Sequence, residues 1–362
     1  MTDAPTTPSV DTSQETRRSG RLSRMVSHNL FWPLVALVAM LAANTIYRPN
    51  FLAVTVRDGH LFGSLIDILR NSAPLMLVAL GMTLIIATRG IDLSVGAIVA
   101  ISGALALSTI QASPDPDSVL TVASAIGMAL ALCLVLGAWN GFMVAVLGIQ
   151  PIIATLILMM AGRGIAMLIT NGFITTVNST PYKWLGSGWV LGLPVPAWIA
   201  AAAFLIVLLV CRKGALGMLI EAVGINPAAA RLAGVRARTI TWTVYIVGGL
   251  FAGIAGLLLS ANVMAADANN AGLFIELDAI LAVVIGGTSL AGGKFSLSGT
   301  VIGVFIITTL SLTVTILGIS PLVTPLFKAL VVIAVTLLQS PVVRDKLEHW
   351  GRRRPQVQAV AA

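Results

Sequence analysis

Charge is what this 362-residue chain has least of: Asp, Glu, Lys and Arg together make up 10% of it, against about 25% in ordinary soluble domains. A surface of that kind cannot cover a water-soluble globule. Histidine is almost as scarce. Its three copies, His28, His60 and His349, all lie outside the apolar runs. No Ser–His pair, metal-spaced His cluster or acid dyad falls inside such a run, which removes the residues an intramembrane enzyme needs. The two cysteines, Cys133 and Cys211, are far apart in or beside apolar runs. They build no disulfide framework or metal site and read as small buried hydrophobes.

What the chain does have is apolar surface: 57% of its residues are hydrophobic. A bilayer core about 30 Å thick accepts runs of roughly 20 such residues without polar cover. Apolar runs fall at 30–46, 73–88, 93–110, 119–138, 151–170, 190–211, 242–261, 278–290, 298–318 and 322–340. The expected fold is therefore an all-α polytopic membrane protein of about ten transmembrane helices, some short or broken. The run at 278–290 is short, and 139–149 either extends the fourth span or lies at the interface.

The formal charge of +8 comes from arginines at the ends of apolar runs, not from a basic stripe. It reads as membrane orientation, with no nucleic-acid partner. Residues 1–29, rich in Ser, Thr and Asp and carrying Arg17, Arg18, Arg21 and Arg24, read as a disordered cytoplasmic tail. The apolar stretch after Leu30 is longer than a signal-peptide core and reads as a retained first span. With that tail inside, alternation places 111–118, 171–189 and 262–277 outside, where Lys183 is the one basic residue. Arg212, Lys213, Arg231, Arg236 and Arg238 fall inside, as does a second tail at 342–362. The expected domain, 30–341, thus has both ends cytoplasmic and a cytoplasmic segment at 212–241.

That segment contains EAVGINPAAARLAGV (221–235). Asn226 suits an N-cap, Pro227 the first helical turn and Gly234 a left-handed stop, which predicts a short helix over Pro227–Ala233. At two turns it needs a support. Its face of Ala228, Ala229, Ala230 and Ala233 suits the groove of a soluble partner; a solvated interfacial helix is the alternative.

Three motifs carry a family resemblance: GMTLIIATRGIDLSVGAIVAISGAL (81–105), EAVGINPAAARLAGV, and ADANNAGLFIELDAILAVVIGGTSLAGGKFSLSGTVIG (266–303). Over about residues 50–340 the chain resembles permease subunits of bacterial ABC importers of the ribose, xylose and galactose class. RDGHLFGSLIDIL (57–69) and IQPIIATLILMMAGRGIAMLIT (149–170) are closest in look to the galactofuranose type. The resemblance implies the ABC importer permease fold in a bacterial inner membrane. It also implies a separate ATPase subunit, a second permease copy or paralogue, and an external sugar-binding protein. Glu221, Gly224, Asn226, Pro227, Ala229, Ala230 and Gly234 match the family's ATPase-coupling segment. AGGKFS (291–296) lacks the first Gly of a phosphate loop and puts Phe295 at the Mg-binding position, so no nucleotide cofactor is expected here. Arg89 departs from the family, which commonly has Gly there; a snorkelling side chain is the expected reason.

An uncharged sugar needs modest hydrogen-bonding groups along its path. The candidates are Asp92, Ser94, Asn140, Thr155, Arg163, Asn269 and Asn270. Asp92 also suits an N-cap for the helix from Leu93 onward, and Arg163 is expected to pair with Asp92 or Asp278. Glycines at 248, 249, 253, 256, 286 and 287 favour close helix packing. The stretches 87–100 and 291–304 share a Gly-rich break that opens a span, the hint of an internal repeat. An ion-coupled secondary transporter remains the alternative function, although few acids and no histidine lie within the runs.

Overall fold

The computed structural model describes residues 30–339; the two tails expected at 1–29 and 342–362 lie outside the described residues. Every one of the ten apolar runs holds a helix. Those helices are α1 (Phe31–Tyr47), α2 (Ser64–Ala87), α3 (Val95–Ala112), α4 (Val119–Ala145), α5 (Pro151–Ile169), α7 (Val195–Lys213), α10 (Ala237–Val263), α11 (Ile275–Ile285), α12 (Leu297–Ile316) and α13 (Thr324–Gln339). Between them lie three short helices: α6 (Thr180–Ser187), α8 (Leu216–Ile225) and α9 (Pro227–Leu232). α4 continues through most of 139–149, so that stretch extends the fourth span.

Short spans were expected among the ten, and the structure does not confirm the full count. Among the described residues, seven helices are long and apolar enough to cross a membrane. α1 has 17 residues, α13 has 16 and α11 only 11. At ~1.5 Å per residue α11 is about 16 Å long, half a bilayer core.

α10 is the central helix, packed against α2, α3 and α4. Glycine permits this. A β-carbon at Gly81 on α2 would lie 3.0 Å from the Cα of Gly248, and one at Gly249 would lie 2.8 Å from the Cα of Gly137 on α4. With little apolar driving force between helices in lipid, such close backbone approach supplies the dispersion contacts that hold the bundle. α4, α5 and α7 stay largely exposed and present Leu, Ile and Val outward, as a lipid-facing perimeter does.

Three two-stranded antiparallel pairs decorate the helix ends. β1 (Thr55–Arg57) and β2 (His60–Phe62) form a hairpin turned by Asp58 and Gly59, both at positive φ. β4 (Trp189–Val190) pairs with β5 (Leu193–Pro194), and β3 (Thr175–Thr176) pairs with β6 (Ala265–Ala266). The last pair fixes the start of the connection from α10 to α11. α8 and α9 mark the opposite, proximal end of the bundle.

Candidate functional site

At the proximal end the expected short helix forms as α9. Asn226 Oδ1 accepts from the N–H groups of Ala228 (3.0 Å) and Ala229 (3.1 Å), Pro227 occupies the first turn, and Gly234 follows at φ 85°. One part of the expected face is corrected. Ala230 is buried against Val223 and Ala237, so it anchors α9 to its own chain and presents nothing to a partner. The outward surface is Ala228, Ala229, Ala233 and Leu232, the last 92% exposed. Leu232 was not singled out from the sequence, although it is the lone large apolar residue among the alanines of α9. Glu221, on α8, is half-buried.

α8 does not hang free of the bundle. Gly224 is buried against the carbonyl of Ala87 at the end of α2, where an added β-carbon would overlap that oxygen. Gly293 N–H donates to the same carbonyl at 2.9 Å. Arg89, at φ 66°, donates through Nη2 to the carbonyl of Ile225, the last residue of α8. Its guanidinium is thus engaged on the chain and does not simply snorkel toward solvent. Three loops meet at this point: the α2–α3 break, the end of α8, and the Gly-rich turn before α12. The two breaks suspected of internal repetition therefore touch each other, and AGGKFS is a tight turn with Gly292 and Gly293 both at positive φ.

Just beyond Arg89, four sequence candidates come together. Asp92 Oδ1 accepts from Ser94 N–H (2.8 Å) and Ser94 Oγ (2.6 Å), and Asn140 Nδ2 on α4 donates to Ser94 Oγ (2.7 Å). Thr155 Oγ1 on α5 accepts from Leu93 N–H at 3.2 Å and donates to Pro151 O at 2.9 Å. Asp92, Ser94, Asn140 and Thr155 are all completely buried. α3 begins at Val95 with Ser94, already in helical dihedrals, ahead of it, and Asp92 Oδ1 answers the Ser94 N–H at the entrance to the helix. Tyr245 on α10 packs its hydroxyl against Gly90 and completes the enclosure. Among the described residues, Asp92 Oδ2, Asn140 Oδ1 and Tyr245 Oη have no protein partner.

The remaining candidates sit at the distal end. Arg163 pairs with neither Asp92 nor Asp278: its Nη1 donates to the carbonyls of Ala268 (3.1 Å) and Ala271 (2.6 Å). Asp278 is taken instead by Lys328 on α13, Nζ to Oδ2 at 2.5 Å. The physical reason is local. The connection from α10 to α11 has no helix to satisfy its backbone, and in a membrane such groups need partners inside the protein. Asp267 answers the N–H groups of Asn269 (2.9 Å) and Asn270 (3.2 Å), and Arg163 answers the carbonyls. The Asn270 side-chain donor, helped by those two N–H groups, holds the Asp267 carboxyl below the ordinary carboxylate range.

This connection descends into the bundle. Asn270, Gly272 and Leu273 line a cavity of about 490 Å³ together with Asn71 and Pro74 of α2 and Thr308 and Ser311 of α12. Those α2 residues lie about 10–15 Å from the distal end of their helix, at ~1.5 Å per residue. α11 then starts at Ile275, after Phe274 at φ 61°. The eighth run therefore begins inside a half-length helix that follows a non-helical descent. Asn269 is exposed on the same connection. Asn71, Thr308, Ser311 and Lys328 were not singled out from the sequence.

A transporter-like break, a half-helix and an exposed capped helix at one end are now in place. The family of the branched-chain amino acid transport system permease component matches residues 64–337. The chain belongs to that permease family. It is a transport subunit, not an enzyme, and a multi-pass membrane protein. It is 50% identical over 314 residues to the galactofuranose transporter permease of Escherichia coli K12, covering 85% of this chain and 90% of that one. It is 43% identical over 350 residues to the fructose import permease of Bifidobacterium longum, covering 94% and 97%. Against the ribose import permease of Escherichia coli K12 the identity is 38% over 311 residues, covering 85% and 92%. No solved structure matches the chain.

Proposed function

We propose that the chain is the permease subunit of an ATP-driven importer that carries a monosaccharide into the cytoplasm, powered through α9 by a separate ATPase subunit. The observation that carries the docking role is α9 itself. It is capped by Asn226, anchored by Ala230, and leaves Ala228, Ala229 and Leu232 outward. A helix of six residues is too short to hold its shape alone, so a rigid, small-residue knob of this kind suits a groove in a soluble partner. The names of the relatives, galactofuranose, fructose and ribose permeases, support a monosaccharide, with galactofuranose the leading candidate.

In this reading the proximal end is cytoplasmic. Arg212, Lys213, Arg231, Arg236 and Arg238 cluster there, as the positive-inside bias requires. Both termini are then cytoplasmic, and the distal loops face an external sugar-binding protein. A second permease copy or a paralogue completes the pathway. Movement of α9 on ATP binding passes through α8 to α7 and α10, and through Gly224 and Arg89 to the α2–α3 break. There it acts on the enclosed group of Asp92, Ser94, Asn140 and Thr155, while Arg163, Asn269 and Asn270 shape the distal half of the path.

The test is deletion of Pro227–Ala233. Membrane insertion is expected to survive, while co-purification with the ATPase and ATP-linked sugar uptake are lost. Uptake that persists after the deletion, as an ion-coupled carrier would show, removes this reading.

A further inference from the structure

We propose that the distal cavity between α2, α11 and α12 is a monosaccharide-binding subsite built within one chain, with Asp278 as its principal acceptor; the ligand class rests on the importer reading above. The cavity, about 490 Å³, falls within the ~300–1,000 Å³ of small-ligand sites. Its polar lining converges from separate elements: Asn71 on α2, Asn270 on the descending connection, Asp278 on α11, and Thr308, Ser311 and Thr315 on α12. Pro74, Leu75 and Leu312 form apolar wall between them. Amide and hydroxyl groups spaced along apolar surface match a sugar, whose ring presents hydroxyls at its edge and C–H groups on its faces.

The charges decide the ligand class further. An ionisable group at membrane depth is costly and usually functional, and here Asp278 and Lys328 form an ion pair at 2.5 Å with no net charge. A neutral polyol therefore enters without the electrostatic penalty or pull that an ion would meet. Among the described residues Lys328 contacts Asp278 through Oδ2, and Oδ1 is assigned as the charged acceptor for a sugar hydroxyl. Such charge-assisted hydrogen bonds are roughly twice as strong as neutral ones.

The shape of the site depends on the connection that closes it. Asn270 and Gly272 reach the cavity because Arg163 holds the carbonyls of Ala268 and Ala271 from α5. A β-carbon at Gly272, φ 62°, would lie 2.7 Å from Val99 Cγ1, so the backbone is pressed onto α3 at the point where it turns into the cavity. Glu276, in the first turn of α11, is 4% exposed and abuts Gly96. The wall is thus braced from two sides by α3 and α5.

The experiment uses the chain together with its ATPase subunit in right-side-out vesicles, with Cys133→Ala and Cys211→Ala as background. Ser311→Cys and Asn71→Cys are introduced singly and labelled with a membrane-impermeant maleimide, with D-galactose, D-fructose or D-ribose supplied one at a time at millimolar concentration. The expected result is labelling at both positions that at least one of these sugars slows fivefold or more. Adding Asp278→Asn is expected to remove the protection but not the labelling. Absence of labelling, or labelling that none of the three sugars slows, overturns the subsite. ATP-linked uptake by the cysteine-free parent is measured in parallel. Its loss alone removes the importer reading, whereas uptake that persists without protection removes only the subsite.

Discussion

Gly224 of α8 lies directly against the carbonyl oxygen of Ala87, the last residue of α2, and the same oxygen accepts from Gly293 N–H at 2.9 Å. α8 and the Gly-rich turn before α12 therefore meet at one atom of α2. A methyl at position 224 would displace either the helix end or the Gly293 hydrogen bond, and overpacking of this kind costs about 1–3 kcal/mol. Gly224→Ala is expected to reduce sugar transported per ATP hydrolysed by severalfold while ATPase binding persists, because α9 remains capped and exposed. An unchanged transport-to-hydrolysis ratio in reconstituted vesicles would exclude a mechanical role for this contact.

The outward and inward sides of α9 separate docking from folding. Leu232→Asp places a charge where a 92% exposed leucine stands. It is expected to leave expression and thermal stability unchanged while weakening ATPase co-purification by at least tenfold. Ala230→Asp instead buries a carboxylate among Val223 and Ala237, where an unpaired charge costs several kcal/mol, and it is expected to lower the yield of folded protein. Equal effects of the two substitutions on yield would contradict the assignment of faces.

The short helix α9 was legible in the sequence because capping is local: Asn226, Pro227 and Gly234 act on neighbours within a few residues. Helix positions in all ten runs were legible for a similar reason, since apolar length is a property of each segment. The shortness of α11 was legible in the run at 278–290, but the non-helical descent through residues 264–274 ahead of it was not, because it carries no period. Arg163 stood out as an intramembrane charge, yet its partners are backbone carbonyls 105 and 108 residues away. An acid seemed the natural partner when only side chains were in view. Asp92, Ser94, Asn140 and Thr155 were each chosen as polar residues in greasy surroundings, but only the packing of α3, α4 and α5 brings them into one enclosed group. The β1–β2 hairpin escaped notice although Asp58-Gly59 is a strong two-residue turn signal.

Arg163→Met keeps the length of the side chain and removes the donors to Ala268 and Ala271. Two carbonyls inside the bundle then lose a charged partner, each such hydrogen bond being worth about 1.5–3 kcal/mol. The expected outcome is a lower melting temperature of the purified protein and faster protease cleavage within 265–274. Arg163→Lys is expected to rescue partly, since an ammonium reaches carbonyls but lacks the planar fork of a guanidinium. If Met and Lys are equally stable to the wild type, the connection is held by Asp267 and the β3–β6 pair without help from α5.

Arg89 sets two effects against each other. Its backbone is at φ 66°, a conformation that costs a non-glycine residue about 1–2 kcal/mol, while its guanidinium ties the α2–α3 break to Ile225 at the end of α8. Arg89→Gly relieves the first and abolishes the second. Since a net hydrogen bond to a charged group is worth about 1.5–3 kcal/mol at most and this one is exposed, the two terms nearly cancel. Thermal stability is therefore expected to change little, whereas the link from α9 to Asp92 keeps only its Gly224 and Gly293 contacts. Transport per ATP is expected to fall less in Arg89→Gly than in Gly224→Ala, and the double variant to lose more than either. A double variant no worse than Gly224→Ala alone would mean that Arg89 carries no part of the movement.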